Sequence, residues 1–86
     1  MRQFVYVISD PLGIHARPAG MLAKAAKEYP DTVITIAKGD EAVKATQLLR
    51  VMGMGIRQGD RIVVTAEGAS EAEAVLAMER VLRENL

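Results

Sequence analysis

Phe4-Val5-Tyr6-Val7-Ile8-Ser9-Asp10-Pro11-Leu12-Gly13-Ile14-His15-Ala16-Arg17-Pro18-Ala19 changes its periodicity once, and that change decides the fold. Phe4 to Ile8 is a run of aromatic and β-branched residues closed by Ser9-Asp10-Pro11, which reads as a strand ending in a turn. From Ala16 onward, Ala19, Met21, Leu22, Ala25, Ala26 and Tyr29 recur at roughly helical spacing while Lys24, Lys27 and Glu28 fall elsewhere. That spacing predicts a helix from about Ala16 to Tyr29. The chain's single histidine, His15, therefore stands at a strand-to-helix junction.

A helix N-terminus leaves its first N–H groups without internal partners and carries about half a unit of positive charge, so it favours an anion beside it. Pro18 suits the first turn because the helical ladder does not demand its missing N–H, whereas Ala16 and Arg17 keep theirs. Arg17 adds a fixed charge on a bidentate fork matched to phosphate oxygens. Gly13 lets the chain turn tightly before His15. A neutral imidazole is a usable nucleophile near pH 7, its reference pKa being about 6.5. Phosphoryl on a ring nitrogen would bring negative charge to the helix amides and Arg17. The nearest carboxylate, Asp10, lies beyond a Pro-Leu-Gly turn, so no base stands ready to activate water, and the segment suits storage of phosphate better than hydrolysis. The plainer alternative is an ordinary loop histidine, since His-Ala-Arg-Pro alone is a weak pattern. One imidazole and no cysteine do not make a transition-metal ligand set, and we expect no bound metal.

Beyond this helix, Pro30-Asp31 breaks the chain and Thr32 to Ala37 reads as a strand. Lys38-Gly39-Asp40 turns it into a shorter strand around Glu41 to Lys44, the natural outline of a hairpin. Gln47 to Met52 predicts a short helix with Leu48, Leu49, Val51 and Met52 as its apolar members, stopped by Gly53 and Gly55. Arg57-Gln58-Gly59-Asp60 turns the chain into a strand from Arg61 to Ala66. Ser70 and Glu73 then form an S-x-x-E capping box for a last helix whose inner face carries Val75, Met78, Val81 and Leu82. The order β-α-β-β-α-β-α predicts an α+β domain: a four-stranded antiparallel sheet with three helices on one face.

The 86 residues suit one domain, 1–86, with a single modest core. Half are hydrophobic but only 3% are aromatic, so Val, Ile, Leu, Met and Ala must fill that core. Eleven basic and eleven acidic residues balance, which gives no electrostatic reason to expect nucleic acid as a partner. Without cysteine, disulfide chemistry is excluded and a reducing cytoplasm is compatible. No segment reads as a signal peptide or is long enough to span a bilayer, and we expect a cytoplasmic monomer.

Gly13-Ile14-His15-Ala16-Arg17-Pro18-Ala19 resembles the active-site signature of the HPr family, the histidine-containing phosphocarriers of the bacterial phosphoenolpyruvate-dependent sugar phosphotransferase system. Chain length, Leu48-Leu49-Arg50-Val51-Met52-Gly53-Met54-Gly55, Gln58-Gly59-Asp60 before a strand, Ala66-Glu67-Gly68 and the acidic, Ala-rich last helix extend the resemblance over nearly the whole chain. It implies an open-faced β-sandwich and a carrier in which His15 accepts phosphoryl from phosphorylated enzyme I and passes it to sugar-specific EIIA components, with no cofactor and no turnover of its own. It further implies that Ala16, Arg17 and Pro18 hold the phosphate. Leu48, Leu49 and Met52 match positions that serve the family as a contact patch. Gly20 and Met21 would extend that surface, together with Lys24, Lys27 and Arg50 as steering charges. The chain departs from the family at the start of the short helix. Gln47 stands where many relatives carry a regulatory serine; Thr46 precedes it, and the segment after Gly39 holds one extra residue. Kinase regulation there is therefore not expected. Two rival readings remain: a regulatory relative whose His15 phosphorylation controls a partner without feeding sugar uptake, and a ligand-binding α+β domain with an incidental histidine.

Overall fold

The alternation of Phe4, Tyr6 and Ile8 with Val5 and Val7 sends one set of side chains to each side of a strand, and the first set is the more buried. The computed structural model describes residues 1–86. Its elements are β1 (Arg2–Val7), α1 (Ala16–Lys27), β2 (Thr32–Lys38), β3 (Glu41–Lys44), α2 (Leu48–Gly53), β4 (Arg61–Gly68) and α3 (Glu71–Asn85). The expected order is present, and element ends differ from expectation by a residue or two; α1 stops at Lys27 instead of running to Tyr29.

All four strands join one sheet in the order β1-β4-β2-β3, each pair antiparallel. The register stacks inward-facing residues across the strands: Phe4 opposite Val64, Val64 opposite Ile36, and Ile36 opposite Val43. The three helices cover this face, and their buried residues Ala19, Leu22, Ala26, Val51, Ala74, Met78 and Leu82 join the strands in one hydrophobic cluster. On the other face Val5, Val63, Ala37 and Ala42 line up across the sheet, beside a hydrogen bond between the Thr35 and Thr65 hydroxyls. That is an open-faced sandwich. No helix is long and apolar enough to cross a membrane.

Two local expectations need correction. The stripe of α1 is centred on Leu22 and Ala26, flanked by Ala19 and Ala23, while Met21 is exposed. Met21 follows helical spacing loosely but lies about 100° around the axis from Leu22. The Ser70–Glu73 capping box does not form. Ser70 flanks α3 without a side-chain cap bond; its hydroxyl donates to Asp31 Oδ2 (3.1 Å) and its N–H to Thr32 Oγ1 (2.9 Å). It is Glu71 that reaches back, its Oε1 accepting the Gly68 N–H at 3.2 Å. A partner nearly forty residues distant in sequence wins the serine that the local pattern assigns to the helix.

Candidate functional site

His15 is the N-cap of α1, with extended backbone angles (φ −102°, ψ −170°). Its carbonyl accepts the Ala19 N–H at 3.0 Å, closing the first helical turn, and its ring lies partly exposed. Before that bond come Ala16, Arg17 and Pro18. Proline has no N–H, so the mouth of the helix is reduced to two main-chain donors, those of Ala16 and Arg17, and neither has a partner within the molecule. No acidic residue lies in the first turn to neutralise them. The Arg17 side chain is exposed and forms no ion pair, whereas Pro18 is buried against the core. The junction thus holds a partly exposed imidazole, two unpartnered N–H groups and an unpaired guanidinium within three consecutive residues, a set suited to an anion that forms on the ring.

The loop bearing His15 rests on a second loop, residues 54–60. Ile14 is buried and its N–H donates to the Ile56 carbonyl at 3.1 Å. Gly13 lies at φ +65°, and a Cβ there would collide with the Ile56 carbonyl and come within 2.8 Å of Arg57 Cα. Glycine is thus required twice, for the turn and for the close approach. Ile8 N–H donates to Asp60 O (2.9 Å), Gly59 N–H to Ile8 O (2.7 Å) and Gln58 Nε2 to Ser9 O (3.1 Å). Loop 54–60 is in turn tied internally: Asp60 Oδ2 accepts the Arg57 N–H at 2.8 Å, and Lys38 Nζ reaches both Asp60 Oδ2 (2.8 Å) and the Gly55 carbonyl (3.2 Å). The hydrogen bond from Lys38, followed by that from the Arg57 amide, holds the Asp60 carboxyl below its ordinary pKa.

On α2, which packs against α1, most of the apolar side chains are exposed. Val51 is fully buried, Leu49 is 79% exposed, and Leu48 and Met52 are each 37% exposed. Arg50 is exposed and donates to Gln47 Oε1 at 3.2 Å. On α1, Arg17, Met21 and Lys24 lie exposed along the helix and Gly20 is partly exposed. Lys27 stands at the other end, about 18 Å along the axis from His15, where it lines a groove of about 320 Å³ with Tyr29, Thr32, Lys44 and Thr46. His15 itself lines neither of the two grooves. Gln47 flanks α2, with Thr46 half-buried before it.

Sequence reasoning overlooked Leu12, which is 73% exposed three residues before the histidine, and the contacts that Lys38, Ile56 and Asp60 make beneath the histidine loop. Leu12 carries a signal, an isolated large apolar residue within a Pro-Gly turn. The others carry none, because their role exists only in contacts distant along the chain.

Residues 2–84 match the family model of the PTS HPr component phosphorylation site. The chain is 38% identical over 85 residues to the phosphocarrier protein HPr of Mycoplasma genitalium, covering 99% of this chain and 97% of that protein. Among solved structures, a mycoplasma histidine-containing phosphocarrier protein superposes with a TM-score of 0.93 at 31% identity, over 96% of this chain and 93% of that one. HPr of Thermoanaerobacter tengcongensis gives 0.90 at 28% identity, over 98% and 93%.

Proposed function

The chain belongs to the HPr phosphocarrier family of the phosphotransferase system, and from that premise we propose that its His15 carries phosphoryl from phosphorylated enzyme I to sugar-specific EIIA proteins in the cytoplasm. The observation that carries this reading is the histidine at the mouth of α1 with the unpartnered Ala16 and Arg17 amides beside it.

The neutral imidazole attacks through Nδ1. Its N–P bond forms as the bond from phosphorus to the donor atom of enzyme I breaks, and that atom leaves with the electron pair. The bound group's charge meets two N–H donors and a positive helix end already aligned before transfer, and Arg17 adds its fork to the phosphoryl oxygens. The transfer is reversed when an EIIA nucleophile approaches in line from the same side. Because His15 is partly exposed and no groove encloses it, a partner must supply the other wall and exclude water, which makes transfer conditional on docking. The exposed side chains of Leu48, Leu49 and Met52, with Met21 and Gly20, form the docking patch, and Arg17, Lys24 and Arg50 draw in acidic partner surfaces. Lys27, at the far end of α1, contributes only to the outer field. The carrier itself completes no catalytic cycle and needs no cofactor.

Incubation with enzyme I and labelled phosphoenolpyruvate is expected to place acid-labile label on the wild type and none on His15→Ala, with the label then moving to EIIA. An unlabelled wild type, or a labelled variant, would overturn the proposal; label that never leaves the carrier would favour a regulatory role instead.

A further inference from the structure

The geometry points to Lys38 and Asp60 as positioning residues for His15, acting through the main chain of residues 55–57; the inference rests on His15 being the phosphoryl acceptor. Neither side chain touches the histidine. Their link to it is a relay of four contacts. Lys38, the last residue of β2, bonds the Gly55 carbonyl and the Asp60 carboxylate, so one ammonium grips both ends of the loop. Asp60 closes the loop from inside by accepting the Arg57 N–H. Between these tethered points lies the Ile56 carbonyl, which receives the Ile14 N–H immediately before His15 and sits where Gly13 leaves no room for a Cβ.

A shift of the 55–57 backbone toward the histidine loop meets Gly13, where no Cβ would fit, and a shift away from it stretches the Ile14 bond. The Gly13 face has no space and the Ile14 bond has one acceptor. In-line transfer tolerates little misplacement of the attacking atom, so loosening this loop should lower the transfer step itself, not the affinity for enzyme I, whose docking patch on α1 and α2 is built elsewhere. The effect should be modest because the ion pair is partly exposed.

Lys38→Met, Asp60→Asn, their double variant and Lys38→Arg separate this role from a merely structural one. Two readouts are needed: hydrogen exchange of the Ile14 amide, and phosphoryl uptake from enzyme I at limiting and saturating carrier. Lys38→Met and Asp60→Asn are each expected to speed Ile14 exchange about two- to fivefold, while the Ala45 amide, bonded to Ile34 O at the opposite end of the hairpin, stays at the wild-type rate. The maximal transfer rate should fall by a similar factor with KM unchanged. The double variant should be no worse than either single one, and Lys38→Arg should restore most of the loss. Unchanged Ile14 exchange, an equal rise at Ala45, or a change in KM alone would overturn the assignment. Should the wild type take no phosphoryl at all, the functional reading fails, and the exchange rates still judge the coupling by themselves.

Discussion

Gly13 and Gly20 stand seven residues apart on either side of His15, and the same substitution should act oppositely at the two. At Gly13 an alanine must adopt a left-handed backbone and press its methyl into the Ile56 carbonyl and Arg57 Cα. We expect a cost of about 2–4 kcal/mol, a drop in Tm on the order of 10 °C or more for a chain of this size. At Gly20, inside α1, an added Cβ meets nothing within 4 Å, and Gly20→Ala should stabilise by about 0.4–1 kcal/mol by restricting the unfolded chain. Thermal unfolding of the two variants checks both; equal shifts would mean that the contact with loop 54–60 is not as described. Local sequence shows glycine before a histidine and allows the inference of a turn. The second constraint on Gly13 involves a carbonyl more than forty residues away, for which no local pattern gives a sign.

At the scale of the element, α2 is the informative case. It has only six residues, and its burial is concentrated in Val51, which leaves Leu48, Leu49 and Met52 bearing apolar surface that the fold does not need. Leu49→Glu should therefore change unfolding by no more than about 0.5 kcal/mol. It should raise the apparent KM for enzyme I roughly tenfold, the effect of losing about 1.4 kcal/mol from a contact. Normal uptake at limiting carrier would remove α2 from the docking surface. Strands and helices were legible in the sequence because alternation and helical spacing report burial directly. The excess of apolar residues in α2 was legible too, since one short helix cannot turn four of them inward. The end of α3 nearest Ser70 was not, because Asp31 and Thr32 compete for that serine from another part of the chain.

Across the whole molecule, one face of the sheet and three helices build the core, while the proposed phosphoryl site lies where α1 begins. The proposed site's reactive half lies in consecutive residues, His15 to Pro18, so a local pattern could suggest it. Its support does not, since Lys38, Ile56 and Asp60 meet the histidine loop only after the sheet has formed. The central claim is that the two free amides at the start of α1 receive a phosphoryl group bound to the His15 ring. Phosphorus and amide NMR spectra of the protein before and after reaction with enzyme I and phosphoenolpyruvate test it most directly. A phosphoramidate signal coupled to the His15 ring protons should appear, with the largest amide displacements at Ala16 and Arg17. A phosphoramidate whose formation leaves those two amides unmoved, or no signal on the ring at all, would contradict the account.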